Sequence, residues 1–241
     1  MFSYIRDVLR YIFSKKLGRK GISILAYNSV DDTNAPFSVS RKDFRWQMEY
    51  LKRSGRHVVS LDYVADALKD KKKLPKNLVV ITFDDGYQDN FLQAYPTLKE
   101  YNYPASVYVI SDRVDRTITK NGVVFPMLKV PQLQKMDREG LVSIESQTKS
   151  HPHLGELSSQ DANLEMAEGA QNISRHISGK CLHFSYPFGE ALYSLKPVAK
   201  QLFKSAVTKT PGFVGPKSDL YELNRNVINS DTTRKRFRWV V

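Results

Sequence analysis

Short apolar runs alternate with amphipathic stretches along most of this chain, and this alternation limits the folds that it can adopt. The apolar residues within each run are often contiguous, as in strands that are covered on both faces. The predicted strands are residues 22–27, 58–61, 78–83, 105–110, 141–145, 183–186, 205–208 and 226–228. Helical stretches lie between them, so the pattern predicts an α/β fold with a mainly parallel sheet or barrel.

Capping signals mark where several of the helices begin. Ser40 with Asp43, and Ser158 with Asp161, are spaced as in the first turn of a capped helix. A third helix is predicted over residues 89–101, and another follows Ser60. The chain of 241 residues suits one α/β domain. We predict this domain over 21–230, preceded by a basic amphipathic segment at 1–20 and followed by a basic tail at 231–241.

The formal net charge of +12 predicts attraction to an acidic partner. Segment 1–20 is too short and too interrupted to span a bilayer, and it could lie on an anionic membrane or dock on the domain itself. It lacks the long apolar stretch of a secretion signal, so we expect a location in the cytoplasm or at the inner membrane face. A nucleic-acid partner would explain the charge but not the motifs below. The single cysteine, Cys181, excludes a cysteine-rich zinc site.

Two adjacent carboxylates stand where a predicted strand ends. The apolar run at 78–83 leads directly into Asp84 and Asp85, and Gly86 lets the chain turn sharply after them. In α/β folds, ligands and catalytic groups collect at the carboxyl ends of strands. One carboxylate could therefore bind a cation while the other faces a water molecule. A solvated Asp-Gly turn is the alternative that these residues alone leave open.

Two further motifs also follow predicted strands. His151 comes shortly after the strand at 141–145, and neutral histidine combined with a carboxylate suits zinc or a similar divalent ion. Pro187, Phe188 and Gly189 follow the strand at 183–186 and could present a backbone N–H to a developing oxyanion. A structural histidine and an ordinary aromatic turn are the respective alternatives.

Taken in this order and spacing, the three motifs resemble those of the NodB-like polysaccharide deacetylases, carbohydrate esterase family 4. Residues 82–86 match the first family motif, and residues 146–154 resemble its Ser-His-Thr-x-x-His-Pro-x-Leu motif. Residues 186–189 are similar to its Pro-aromatic-Gly motif, and residues 25–30 and 223–228 resemble the branch that includes poly-N-acetylglucosamine deacetylases. The resemblance implies a distorted, incomplete (β/α) barrel.

The resemblance also implies roles for individual residues. Asp85 and His151 would bind a divalent metal, with zinc expected and cobalt, nickel or manganese as alternatives, and Asp84 would be the general base. The Phe188 N–H would help to hold the oxyanion. The other residues expected at the substrate are Tyr186, Pro187 and Gly189. The implied reaction is removal of an acetyl group from an N-acetylated sugar of a cell-surface polysaccharide or its lipid-linked precursor.

Two departures from the family pattern affect the expected metal site. Gln147 stands where the family has the first histidine of its second motif, and Asn28 stands where this branch has a histidine. An amide oxygen is a weaker ligand than imidazole for a borderline cation, so metal affinity should fall. Either Gln147 binds the metal through its oxygen, or His153 moves in to replace it.

A third departure affects the charged partner of the general base. Ser185 stands where many family members carry an arginine, and Arg225 stands where many carry a histidine that acts as general acid. We expect Arg225 to supply the missing cation to Asp84. The general acid would then be His183 or a metal-bound water.

Two alternatives to a metal-dependent deacetylase stay open. Gln147 is compatible with a catalytically impaired deacetylase fold that binds a glycan or a partner protein. The retained pair Asp84 and Asp85 favours an enzyme instead, since a binding protein would have little need of both carboxylates. Hydrolysis of another acyl or amide bond is the second alternative.

Overall fold

A computed structural model of the protein describes residues 21–75, 77–120 and 122–241, so the predicted segment 1–20 lies outside the described residues. The strands are β1 (Ser23–Tyr27), β2 (Ser29–Val30), β3 (Ser38–Val39), β4 (His57–Val58), β5 (Leu78–Phe83), β6 (Ala105–Val109), β7 (Thr117–Lys120), β8 (Val123–Pro126), β9 (Val142–Ser146), β10 (His183–Ser185), β11 (Ser205–Val207) and β12 (Asn226–Val227). The helices are α1 (Arg41–Arg53), α2 (Leu61–Lys69), α3 (Tyr95–Tyr101), α4 (Val130–Glu139), α5 (Ser159–Ser174), α6 (Lys196–Leu202) and α7 (Arg234–Val240).

The main sheet is parallel and has eight strands among the described residues. Its order is β11-β10-β9-β6-β5-β1-β12, and β4 pairs with the first residues of β5. Each pairing within it is parallel. The strands curl into a half-barrel, which confirms the predicted incomplete (β/α) barrel.

Burial on both faces of the sheet explains why its strands read as contiguous apolar runs. Every residue of β1 and β5 is buried. Because side chains alternate along a strand, Leu25 and Ile81 join the larger apolar cluster while Ile24 and Val80 join a second one on the opposite face. The helices that cover these faces therefore fix the central strands from both sides.

Side-chain caps begin several helices at the predicted positions. Ser40, Ser60 and Ser158 each accept a hydrogen bond from the backbone N–H three residues further along. The strand predicted over 58–61 is shorter than expected and ends at Val58, because Ser60 already caps α2.

The C-terminal segment 231–241, which the sequence predicted as a tail, contains the helix α7. Thr233 caps α7, and Phe237, Val240 and Val241 are buried against the domain. The Arg56 Nη2 atom also donates a hydrogen bond to the backbone oxygen of Val241 at 2.6 Å. The segment is rich in basic residues, and for this reason the helical spacing of its three buried apolar residues was not recognised in the sequence. Among the described helices, none has both the length and the hydropathy needed to cross a bilayer.

Candidate active site

The first motif leaves the sheet at the end of β5. The Asp84 N–H still donates to the carbonyl oxygen of Tyr27 at 2.8 Å, so the first carboxylate residue extends the ladder. Asp85 and Gly86 then adopt positive φ angles of 70° and 75°. A Cβ at Gly86 would also lie 3.3 Å from Val109 Cγ1. This turn sends the two neighbouring carboxylates in different directions at the carboxyl edge of the sheet.

Asp84 is completely buried and is held by cations. Arg225 donates from Nη1 to Oδ1 at 2.7 Å and from Nη2 to Oδ2 at 2.8 Å. Ser185 donates to Oδ1 at 3.2 Å, and Lys209 Nζ lies 3.3 Å from Oδ2. Burial raises the pKa of Asp84, but Arg225 and Lys209 outweigh it and hold the pKa below its ordinary value. Asp84 is therefore an ionised carboxylate, and the contact predicted between it and Arg225 is present.

Arg225 is itself buried and fully engaged in hydrogen bonds. Its Nε donates to the carbonyl oxygen of Thr208 at 2.8 Å, and its Nη1 donates to Thr82 Oγ1 at 3.0 Å. Its Nη2 donates to Ser185 Oγ at 2.9 Å, and the guanidinium lies over the ring of Tyr108. This network fixes the arginine so that its fork meets the carboxylate of Asp84 in a bidentate geometry.

Asp85 is buried and keeps one oxygen open. Its Oδ2 accepts from Asn28 Nδ2 at 3.1 Å and lies 3.4 Å from Lys120 Nζ. Its Oδ1 is buried and finds no hydrogen-bond partner among the described residues. The Nε2 atom of His151 lies 3.7 Å from that Oδ1. A buried carboxylate oxygen without a donor, facing an imidazole nitrogen, is an arrangement that a cation would satisfy.

Gln147 links Asp85 to His151. The backbone N–H of Asp85 donates to Gln147 Oε1 at 2.7 Å, and Gln147 Nε2 lies 3.2 Å from His151 Nε2. Because a backbone N–H needs an acceptor, the amide oxygen must face Asp85 and the amide NH₂ must face the histidine. His151 Nε2 therefore accepts, which places the ring proton on Nδ1. Burial, with Arg113 and Lys209 nearby, lowers the pKa of His151 although Asp85 opposes this, so the imidazole is neutral.

Two side chains at this site carry donor atoms that suit a divalent cation. A carboxylate oxygen and a neutral imidazole nitrogen, from Asp85 and His151, are donors that zinc and similar ions use. Among the described residues, no group of three His, Cys, Asp or Glu side chains surrounds a common point. The oxygen of Gln147 could become a third ligand only by leaving the Asp85 N–H.

His153 does not converge on Asp85. Its ring stacks on Phe188 with 3.8 Å between centroids and an interplanar angle of 7°. Its Nδ1 lies 3.4 Å from Glu190 Oε2. The alternative in which His153 replaces a metal ligand would require this stacked pair to separate.

The third motif forms a tight turn that also bounds the site. Phe188 has a φ of 58° and Gly189 a φ of 79°, and the Gly189 N–H donates to the carbonyl oxygen of Tyr186 at 2.9 Å. A Cβ at Gly189 would lie 2.4 Å from Lys209 Cβ, so glycine is required here. Phe188 is partly exposed, and its ring also contacts His151. The predicted role of its N–H at an oxyanion stays a prediction.

Tyr186 and His183 lie in positions that differ from those expected of them. Tyr186 is completely buried, and its hydroxyl donates to the carbonyl oxygen of Tyr221, so it supports the turn from inside. Pro187 is buried as well. His183 contacts Ser205 and Asp62 rather than any motif residue. The side chains of Tyr186 and Pro187 are therefore buried away from solvent, and among the described residues the side chain of His183 pairs with neither Asp84 nor Asp85.

Sequence reasoning missed three cations near the carboxylates. Lys209 follows β11 at the carboxyl edge of the sheet, so the rule that sites collect at strand ends could have found it. Arg113 ends the short helical turn after β6. Lys120 ends β7, and the Asn121-Gly122 dipeptide after it is a hairpin signal that could have placed it at a turn, although only the folded chain brings it to Asp85.

The chain is similar in sequence and in fold to known polysaccharide deacetylases. Residues 71–206 match the family model for polysaccharide deacetylases. YxkH of Bacillus subtilis, which carries the description of a polysaccharide deacetylase, is 30% identical over 205 residues, covering 85% of this chain and 70% of that protein. A poly-β-1,6-N-acetyl-D-glucosamine N-deacetylase of Staphylococcus epidermidis is 26% identical over 208 residues, covering 81% of this chain and 69% of that protein. The Streptococcus pyogenes deacetylase PplD, solved with acetate, superposes with a TM-score of 0.80 at 25% identity, covering 91% of this chain and 97% of that one.

Proposed function

The chain belongs to the polysaccharide deacetylase family, and from that premise we propose that it removes the acetyl group from an N-acetylated sugar by metal-dependent hydrolysis. The proposed substrate is a cell-surface polysaccharide or its lipid-linked precursor. The observation that carries the proposal is the pairing of an ionised Asp84 with Arg225 beside an open oxygen of Asp85 facing His151. The cytoplasmic location and the membrane contact expected from the sequence stay predictions.

Asp85 and His151 would hold the metal. When bound there, a divalent ion supplies Lewis-acid chemistry that polarises the acetyl carbonyl and lowers the pKa of water. Asn28 orients Asp85 by donating to its Oδ2, which leaves Oδ1 directed toward His151. Gln147 orients Asp85 by accepting its backbone N–H, and the Gln147 NH₂ would have to release Nε2 of His151 before that nitrogen could bind a metal.

Asp84 would move the proton. Hydrolysis forms a bond between a water oxygen and the acetyl carbon, and it breaks the bond from that carbon to the sugar nitrogen. As general base, Asp84 takes a proton from the water, and it can then return the proton to the departing amine. Arg225 keeps the carboxylate ionised before it accepts the proton, and it fixes the position of Asp84.

Acetate release from N-acetylated glycans tests this proposal. The protein would be incubated with zinc, cobalt, nickel or manganese and with oligomers of β-1,6-linked N-acetylglucosamine or other N-acetylated glycans. We expect acetate from at least one substrate, and a loss of at least about 100-fold in Asp84→Asn, because general-base catalysis supplies rate factors of that order. Acetate release equal in the wild type and in Asp84→Asn would refute the assignment.

A glycan-binding protein without catalysis is the second candidate function. The specific observation in its favour is Gln147, whose oxygen faces a backbone N–H rather than the gap between Asp85 and His151. That candidate predicts saturable glycan binding without acetate release under any of the metals above.

A further inference from the structure

Positive charge exceeds negative charge around the two carboxylates of the first motif. Asp84 and Asp85 lie within 4 Å of three cations, namely Arg225, Lys209 and Lys120. If every group is ionised, one positive charge remains uncompensated among these five residues. A site with such a surplus attracts negatively charged ligands.

Lys209 is in excess of what Asp84 requires. The bidentate contact with Arg225 already satisfies both oxygens of that carboxylate. Lys209 adds a second cation at 3.3 Å from Oδ2, while about a quarter of its side chain, 26%, stays exposed. Its stem packs against Gly189, where the missing Cβ gives it room at the wall of the site. Lys209 can therefore turn its ammonium toward solvent without leaving Asp84 unpaired.

Lys120 approaches the other carboxylate from the β7–β8 hairpin. Its Nζ lies 3.4 Å from Asp85 Oδ2 and donates to Tyr87 Oη at 2.5 Å, over the rings of Phe37 and Tyr87. The side chain is 36% exposed. A divalent cation on Asp85 would repel this ammonium by like charge and free it to meet a substrate.

Arg113 adds positive charge near this cluster. It ends the short helical turn after β6, at the carboxyl edge of the sheet, and its charge contributes to the lowered pKa of His151. No carboxylate of the described residues forms an ion pair with it.

We propose that this site takes N-acetylated glycans that carry an anionic group, a phosphate or a carboxylate, on the acetylated sugar or its neighbour, and that Lys120 and Lys209 bind that group. The inference rests on the proposed function and narrows its substrate class. Lys120 and Lys209 lie beside two adjacent carboxylates, and ammonium groups are donors that bind phosphate and carboxylate oxygens.

Paired substrates test the proposal. One oligomer would be neutral, and two others of the same length would carry a phosphate or a carboxylate. Each solvent-exposed ion pair contributes little, so we expect kcat/KM to favour an anionic oligomer by about tenfold at low salt, mainly through KM. Added sodium chloride should shrink this ratio, because it screens charges at the surface. The two anionic oligomers show which anion the site prefers.

Variants of the two lysines locate the effect. Lys120→Met and Lys209→Met should each lower the ratio of anionic to neutral kcat/KM, and together they should bring it close to one. The ratio is taken within one variant, so a general loss of folded protein cancels. Lys180→Met is the matched control, because Lys180 is exposed and precedes β10 at the amino edge of the sheet, away from the motifs. The control should keep the wild-type ratio.

The outcomes separate this inference from the proposed function. Acetate release from the neutral oligomer alone, or a preference that survives in the double lysine variant, would overturn the inference and leave the deacetylase intact. If no oligomer releases acetate, titration calorimetry with the same oligomers still tests whether the site prefers an anionic glycan. Tighter binding of an anionic oligomer that depends on both lysines would support the inference, and equal binding would overturn it.

Discussion

Arg225 and Asp84 form two parallel hydrogen bonds, Nη1 to Oδ1 at 2.7 Å and Nη2 to Oδ2 at 2.8 Å, and neither residue has exposed surface. They lie 141 positions apart in the chain, so the contact joins the last strand to the centre of the sheet. A buried ion pair is retained at the cost of removing two charges from water. The pair lies beside Asp85, which indicates that it positions groups of the candidate active site as well as stabilising the fold.

Replacing Arg225 with Met should destabilise the protein strongly. The variant leaves Asp84 buried without its main cation, and breaking a buried pair costs about 3–5 kcal/mol of the free energy of unfolding. Urea denaturation measures this loss. The double variant Asp84→Asn/Arg225→Met should recover part of it, since no buried charge is left unpaired. An Arg225→Met variant as stable as the wild type would contradict the assigned role.

Restoring histidine at position 147 should tighten metal binding. Gln147→His adds an imidazole beside Asp85 and His151, and we expect the Kd for cobalt to fall by at least about tenfold. The absorption spectrum of bound cobalt reports this affinity. Gln147→Ala is the control, because it removes the hydrogen bond to the Asp85 N–H without adding a ligand. Equal affinity in all three proteins would show that position 147 does not face the ion.

Gly169 fixes the loop that carries His151. A Cβ at Gly169 would lie 2.3 Å from the carbonyl carbon of Thr148 and 2.6 Å from the backbone nitrogen of Lys149. Gly169→Ala should therefore push the loop outward and cost about 1–3 kcal/mol of the free energy of unfolding by overpacking. Metal affinity should fall as well. The Thr148 hydroxyl accepts the backbone N–H of His151, so a shift of the loop at Thr148 also moves this predicted ligand.

Gly179→Ala is the matched control for Gly169→Ala. A Cβ at Gly179 would meet no atom within 4 Å. Its stability and its affinity for metal should equal those of the wild type. If both alanine variants behave alike, close packing at Gly169 does not position the loop.

Asp89 should make stability depend on pH below neutrality. Burial raises the pKa of Asp89 to about 6, although the Ser29 hydroxyl and the Val30 N–H oppose this. In the unfolded chain the pKa is about 3.9, so between these values the folded protein holds a proton that the unfolded chain has released. The contribution of Asp89 to the free energy of unfolding is therefore fully present below pH about 4, and it is lost as pH rises toward and past about 6.

Comparison of Asp89→Asn with the wild type isolates this effect. The difference in the free energy of unfolding between the two proteins should change by about 2–3 kcal/mol between pH about 4 and about 7. Urea denaturation across that range measures it. A difference that stays constant with pH would mean that the carboxyl titrates as in the unfolded chain.

The sequence predicted the fold and the positions of the motifs because both depend on local pattern. The contiguous apolar run before Asp84 indicated a covered parallel strand, and the ends of such strands meet at one edge. The position of Lys120 depends on where the β7–β8 hairpin packs. The Asn121-Gly122 dipeptide signals a hairpin turn in the sequence, but it does not indicate that the hairpin lies beside Asp85. The orientation of the Gln147 amide was also unpredictable, because it is set by one backbone N–H that is 62 positions away.

The amount of metal bound per chain tests most directly whether Asp85 and His151 form a metal centre in spite of Gln147. The protein would be equilibrated with zinc or cobalt, dialysed, and measured by elemental analysis beside Asp85→Ala. We predict close to one ion per chain in the wild type and a loss of that ion in the variant. No bound ion in the wild type, or an equal amount in Asp85→Ala, would contradict the metal centre and favour a binding role.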